Sequence, residues 1–181
     1  MSEGSVVAID GKSLRGTYDK SKRNAVIHRV SAFSAENRLV LGQVKTGAKS
    51  NEITAIPERL QLLELKGCLV TLDAMGCQHI IAREILKKKA GYLLALKGNQ
   101  GKLAEAFDNG YSPTMWLGER YDSYSTQEKG HGREDTRCCI VSHDLTALGD
   151  LAYEWSELST IGIVLASRQE GETAVKSEKC I

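Results

Sequence analysis

Residues 69–78 constrain the fold most, because an apolar run there ends in a single carboxylate, Asp73. A short apolar run bounded by a glycine and a turn is typical of an interior strand. A strand buried on both faces has no favourable place for a lone charge, so an aspartate at its tip is either a cap or a functional group in a crevice. Residues 6–12 show the same pattern, with an apolar run that ends in Asp10. Two such strands side by side would bring the two carboxylates together.

Basic charge is concentrated near the two aspartate strands, although the 181 residues carry a net charge of only +1. Residues 10–23 hold five bases against two acids, and residues 83–102 hold six bases against one acid. Residues 144–181 are acidic, with seven acids and three bases. A basic region beside the acid strands permits a polyanionic substrate at that end.

The five cysteines show no CxxC spacing, and their odd number argues against a disulfide framework. The N-terminus has no signal pattern, and no apolar run approaches the ~20 residues needed to span a bilayer. We therefore expect a soluble cytoplasmic protein without a membrane partner. The length suits one domain with a hydrophobic core of its own.

The hydrophobic periodicity of residues 6–96 predicts the element order β-β-β-α-β-α-β. A cationic, glycine-bounded loop is expected at residues 11–16, directly after the first strand. Three successive strands with short connections imply an antiparallel meander. The strand-helix-strand connections that follow demand parallel neighbours, so the fold class is α/β with a mixed sheet.

The second half of the chain is predicted to be rich in strands. Strands over residues 121–127 and 136–141 flank a glycine-containing turn, and another strand covers residues 161–167. The polar end lacks periodicity and is expected to fray. The expected domains are a core over residues 1–110, a β-rich insertion over 111–168 and a frayed end over 169–181.

Two aspartates at neighbouring strand tips can share divalent cations, because carboxylates are the hard oxygen ligands that Mg²⁺ and Mn²⁺ prefer. Two metals about 3.5–4 Å apart can activate an attacking oxygen and stabilise a leaving one in phosphoryl transfer. Such sites normally need a third carboxylate. The spacing of the two aspartates does not exclude a structural role, since any α/β protein can use strand-end aspartates as caps and turns.

Five segments in order carry a family resemblance. They are residues 8–16 (AIDGKSLRG), 49–53 (KSNEI), 72–78 (LDAMGCQ), 96–100 (LKGNQ) and 131–137 (HGREDTR). Together they resemble insertion-sequence transposases of the H-repeat-associated branch, in the DDE superfamily with a ribonuclease H-like fold. The resemblance implies that Asp10 and Asp73 are the first two catalytic, metal-binding acids and that Mg²⁺ or Mn²⁺ is the cofactor. It also implies DNA strand cleavage and strand transfer, with transposon ends and target DNA as partners and self-association left open.

The third acid is where the chain departs from that family. The family places a glutamate in a segment resembling histidine-tryptophan-x-isoleucine-glutamate-asparagine, and no such segment is found here. We therefore expect a truncated or excised portion with little or no activity. Asp135 and Glu134 are fallback candidates for the third acid, although flanking Arg133 and Arg137 favour an ion-paired structural role.

Several basic and amide side chains are candidates for contacts with DNA phosphates. They are Lys12, Arg15, Lys97, Asn99, Gln100, His131 and Arg133. A solvated loop explains the first five equally well, and the glycines beside the last two also fit a hairpin turn.

Two alternative functions remain. The chain could be a catalytically inactive transposase remnant that at most binds DNA, which the missing third acid favours. It could also be a phosphotransferase or nucleotide-binding module, but neither aspartate strand is followed by a GxGxxG or Walker loop.

Overall fold

The computed structural model describes residues 4–14, 27–45, 52–111, 121–130, 133–170 and 172–181. The chain forms two compact units, Met1–Ala95 and Leu96–Ile181. The helix that begins at Gly101 belongs to the second unit. The expected domains over residues 1–110, 111–168 and 169–181 stay a prediction.

The first unit contains a mixed sheet and two helices. In chain order its elements are β1 (Val6–Leu14), β2 (Ile27–Ser34), β3 (Leu39–Lys45), α1 (Glu52–Gln61), β4 (Leu69–Leu72), a 3-10 turn (Ala74–Gly76), α2 (His79–Lys87) and β5 (Gly91–Leu96). The strands lie in the order β3-β2-β1-β4-β5. Strands β1, β2 and β3 pair antiparallel, whereas β1, β4 and β5 pair parallel. The predicted α/β class and mixed sheet are confirmed.

One face of this sheet supplies the core of the first unit. Val7 and Ile9 of β1 are buried, as are Val70 and Leu72 of β4. Helix α1 packs against β2 and α2. The helices add the buried side chains Ile56, Leu60, Ile81 and Ile85. The alternation of buried and less buried residues along β1 and β4 follows from the period of two in a strand.

Strand β1 is longer than the sequence predicts. It continues through residues 11–14, which were expected to form a loop, and pairs with β2 as far as Leu14 opposite Ile27. The loop prediction is therefore wrong over these four residues. The backbone pairing with β2 keeps this segment extended, and such pairing depends on a partner strand rather than on local hydrophobicity.

Arg59 of α1 is buried in the first unit, with 6% of its surface exposed. Its Nε atom has no hydrogen-bond partner among the residues that the structure describes. The guanidinium lies so close to β3 that a Cβ added at Gly42 would collide with Nη2 of Arg59. A buried N–H group without an acceptor is destabilising, because it loses its bond to water and gains no compensating bond.

The second unit is built on an antiparallel sheet. Its elements are a 3-10 turn (Gly98–Gln100), α3 (Gly101–Gly110), β6 (Asp122–Gly130), β7 (Arg133–Ser142), a second 3-10 turn (Thr146–Leu148), α4 (Leu151–Glu154), β8 (Ile161–Glu170) and β9 (Glu172–Cys180). Strand β7 pairs with β6 and β8, and β8 pairs with β9. Ile140, Ile161 and Ile163 are buried, whereas every residue of β6 is exposed.

The end of the chain forms β9, which differs from the frayed end that the sequence predicts. Its backbone pairs with β8 from Glu172 opposite Glu170 to Cys180 opposite Gly162. Backbone hydrogen bonds hold a strand irrespective of side-chain hydrophobicity. A polar segment without periodicity therefore carried no signal of this pairing.

Helix α3 packs against the second 3-10 turn. The rings of Phe107 and Tyr111 lie 5.3 Å apart, and the Tyr111 hydroxyl donates a 2.7 Å hydrogen bond to the carbonyl oxygen of Asp144. Burial, with the nearby Asp144 carboxylate as a second cause, raises the pKa of Tyr111 above its usual value of 10.0. Trp155 is buried.

Candidate functional site

The parallel register of β1 and β4 brings Asp10 and Asp73 to equivalent positions. The paired residues run from Val6 opposite Leu69 to Ile9 opposite Leu72. Asp10 and Asp73 each follow the last of these pairs by one residue. Neighbouring strands lie about 4.8 Å apart, so the two aspartates start from neighbouring backbone positions.

Both aspartates leave the sheet on the same side. Ile9 and Leu72, the residues immediately before them, point into the core. The backbone of Asp73 is extended, with φ −70° and ψ 178°, so the alternation of the strand continues through it. Asp10 lies within β1 and alternates in the same way. The two carboxylates therefore emerge from the face opposite the buried core residues.

Asp73 caps the 3-10 turn that follows β4. Its Oδ1 atom accepts hydrogen bonds from the backbone N–H of Met75, at 3.1 Å, and of Gly76, at 3.3 Å. The side chain is exposed, and no contact of Oδ2 is found among the described residues. The sequence left a cap and a functional carboxylate as alternatives. The geometry makes them compatible, because the cap occupies one oxygen only.

Asp10 occupies the interior of β1 rather than a strand tip, since β1 continues beyond it to Leu14. It is half-buried and lies opposite Ser31 of β2. The Ser31 hydroxyl is 3.4 Å from the carbonyl oxygen of Asp10, to which it donates a long hydrogen bond. Asp10 still marks the end of the parallel pairing with β4, which is the feature that places it beside Asp73.

The fallback acids Glu134 and Asp135 are paired with cations. Asp135 of β7 accepts from Arg168 of β8, at 2.7 Å from Nε and 3.4 Å from Nη2. Glu134 lies 3.1 Å from Nζ of Lys129 and also accepts a bond from Gln127. These bonds, to Lys129 first and then to Gln127, hold the pKa of Glu134 below its usual value of 4.5.

An ion-paired structural role for Asp135 agrees with these contacts, but sequence reasoning missed its partner. Arg168 stands opposite Asp135 in the β7–β8 register and is 33 residues away along the chain. The interpretation came from Arg133 and Arg137, which flank Asp135 in the sequence. No local pattern in the sequence could have identified Arg168.

The candidates for DNA contact are placed only in part. Lys97 and Asn99 are exposed and Gln100 is half-buried, in and before the turn Gly98–Gln100 of the second unit. Lys12 lies in β1 and Arg133 begins β7, but the described side chains do not include theirs. Arg15 and His131 lie outside the described residues.

The donor set of Asp10 and Asp73 fits a divalent cation held by two carboxylates and completed by water, which is the usual manner of Mg²⁺. Across the described parts of the chain, no three His, Cys, Asp or Glu side chains come close enough to hold a metal ion together. Among the described residues, the candidate site is therefore the pair Asp10 and Asp73. Within the same described ranges, no helix has the length and apolar character to cross a membrane.

Relatives of known sequence cover almost the whole chain. "Putative transposase YncI" of Escherichia coli O157:H7 is 54% identical over 172 residues, which are 95% of this chain and 44% of that protein. "H repeat-associated putative transposase YbfD" of Escherichia coli K12 is 50% identical over 149 residues, or 82% of this chain and 59% of that protein. The chain thus spans about half the length of these curated relatives.

A solved piggyBac transposase synaptic complex with hairpin DNA matches 75% of this chain and 30% of that one. Its TM-score is 0.40 and its identity 12%, which is too low to support a statement about fold. The family described as "Transposase DDE domain" matches residues 1–174. The resemblance to H-repeat-associated transposases is confirmed, and the chain belongs to the transposase DDE domain family.

Proposed function

We propose that the chain is a portion of a transposase catalytic domain, in which Asp10 and Asp73 bind divalent cations for DNA strand cleavage and strand transfer. The family supports the transposase class. The observation that carries the proposal is the β1–β4 register, in which the two aspartates are the next equivalent positions on adjacent parallel strands. The strand order β3-β2-β1-β4-β5 supports a ribonuclease H-like core in the first unit.

Mg²⁺ or Mn²⁺, when bound, would supply activation of the attacking oxygen and stabilisation of the leaving oxygen of a phosphodiester. The residues of this chain would hold and orient the cation. Asp73 contributes a carboxylate whose Oδ1 is already bonded to two N–H groups, which leaves Oδ2 for the metal. Asp10 contributes the second carboxylate from the neighbouring strand.

The proposed DNA contacts come from the cationic and amide candidates. Exposed Lys97 and Asn99 can reach phosphate oxygens without displacing core residues. Lys12, Arg15, His131 and Arg133 stay predictions. If Lys97 contacts a phosphate, the Lys97→Ala variant should bind DNA more weakly, and its binding should depend less on salt concentration.

A catalytically inactive protein that binds DNA is the second candidate function. Two observations favour it: no three-acid group occurs among the described residues, and Asp135 is engaged by Arg168. The two proposals agree on the fold and on DNA as partner. They differ on whether the chain cleaves DNA.

Calorimetric titration with Mn²⁺ tests the proposed metal site. The wild-type chain should bind Mn²⁺, and both Asp10→Asn and Asp73→Asn should abolish measurable binding, because each removes one of two anionic ligands. Asp135→Asn is the matched control and should bind like the wild type. Unchanged binding in both site variants would refute the assignment.

Nicking of a supercoiled plasmid separates the two functions. The purified chain is incubated with Mg²⁺ or Mn²⁺, and its Asp73→Asn variant serves as the control for contaminating nucleases. Nicking that requires Asp73 supports the catalytic proposal. Metal binding and DNA binding without nicking support the inactive protein.

A further inference from the structure

Gly76 closes the turn after Asp73 and packs directly on Leu72. A Cβ added at Gly76 would lie 2.6 Å from Cδ2 and 2.7 Å from Cβ of Leu72, which is closer than real Cβ contacts. Leu72 is a buried residue of β4 and cannot move away without disturbing the core. The position therefore requires glycine because of this close approach.

The turn that Gly76 permits holds the Asp73 carboxylate. The Gly76 N–H lies 3.0 Å from the carbonyl oxygen of Asp73 and 3.3 Å from its Oδ1. The Met75 N–H bonds the same Oδ1 at 3.1 Å. Two donors from one short turn fix the rotation of the carboxylate, so Oδ2 points in one direction only. A larger residue at Gly76 would push both donors away from Oδ1.

We propose that Gly76 is a positioning residue for Asp73: its packing on Leu72 places the N–H groups that orient the carboxylate as a ligand through one oxygen. This inference rests on the proposed function, since it assigns Asp73 to a metal. Groups that orient a ligand contribute to metal affinity without touching the metal, and their loss typically costs about 10–100-fold in affinity.

The test compares two glycine-to-alanine variants by Mn²⁺ calorimetry. Gly76→Ala should raise the Kd for Mn²⁺ about tenfold or more while every metal ligand is retained. Gly110→Ala is the matched control, because its added Cβ would likewise collide with a neighbour, Ala147, in the second unit. The control should lose thermal stability and keep the wild-type Kd. A purely structural role predicts equal behaviour of both variants, and a Kd within twofold of wild type for Gly76→Ala overturns the inference.

Amide spectra of the wild-type chain provide a measurement that does not depend on the folding of Gly76→Ala. Titration with Mg²⁺ should shift the N–H resonances of Met75 and Gly76, because both donate to the carboxylate that binds. Shifts confined to other residues would overturn the inference. If Asp73 is not a metal ligand, the Asp73→Asn variant binds Mn²⁺ as well as the wild type does. This result separates failure of the proposed function from failure of the inference about Gly76.

Discussion

The candidate acids of the two units differ in their hydrogen-bond partners. In the second unit, Asp135 and Glu134 are each bonded to a cationic side chain on a neighbouring strand. In the first unit, Asp73 is bonded to backbone N–H groups through Oδ1 alone. A carboxylate that a lysine or arginine neutralises is a poor ligand for a metal ion, because the metal must displace the cation. The contrast is the reason why the proposed metal site includes Asp73 and not Asp135.

Two arginines, one in each unit, differ in their exposure and in their hydrogen bonds. Arg168 of β8 is half-exposed and forms two bonds with Asp135. Arg59 of α1 is buried, and its Nε has no acceptor among the described residues. The paired arginine stabilises its sheet slightly, whereas the unsatisfied Nε of Arg59 carries a desolvation cost in the first unit.

Arg59→Met should make the chain more stable, by about 1–3 kcal/mol, because it removes an unsatisfied buried polar group and keeps an apolar side chain of similar length. Unfolding by urea, followed by circular dichroism, measures the change. Arg83→Met on the exposed surface of α2 is the matched control and should change stability by less than about 0.5 kcal/mol. A loss of stability in Arg59→Met would show that the rest of the guanidinium stabilises the fold by more than the unsatisfied Nε costs.

Asp73→Ala should lower stability by about 1 kcal/mol, the usual cost of losing a capping side chain. Asp73→Asn retains an oxygen that can accept from Met75 and Gly76, so its loss should be only a few tenths of a kcal/mol. The same urea measurement compares them. Both variants should fail to bind Mn²⁺, which separates the cap from the metal ligand. Wild-type stability of the Asp73→Ala variant would show that the cap contributes nothing.

The Asp135–Arg168 pair should contribute about 0.2–1 kcal/mol, because Arg168 is 52% exposed at its side chain and solvent screens the attraction. A double-mutant cycle with Asp135→Asn and Arg168→Gln gives this coupling free energy. None of the three variants should change the Kd for Mn²⁺. Weaker Mn²⁺ binding in Asp135→Asn would instead make Asp135 a third metal ligand.

The smallest effect concerns Glu134, which is on the surface of the second unit. Because its pKa is lowered in the folded chain, its contribution to stability is present above the unfolded value of 4.5 and is lost as the pH falls through the folded value. Lys129→Gln should move the pKa of Glu134 back toward 4.5. A carbon NMR titration of the side-chain carboxyl measures this shift, and an unchanged pKa would exclude Lys129 as its main cause.

Much of the first unit could be predicted from local patterns. Apolar runs, changes of period and short connections predicted the meander, the helices and the parallel strands in the order observed. The mixed sheet followed from the order of these elements. The patterns failed where pairing alone keeps a segment extended, as in residues 11–14 of β1 and in the polar β9. Backbone pairing of that kind leaves no hydrophobic signature in the sequence.

The sequence by itself determined that Asp10 and Asp73 each follow an apolar run and to which family the chain belongs, because these are properties of local pattern and ordered motifs. Only the tertiary structure decided the rest of the site. The register aligned Asp10 with Asp73, the β7–β8 pairing joined Asp135 to Arg168, and the approach of Gly76 to Leu72 allowed the cap. Each of these arrangements depends on contacts that form only in the folded chain, and the spacing of residues along the sequence does not specify them.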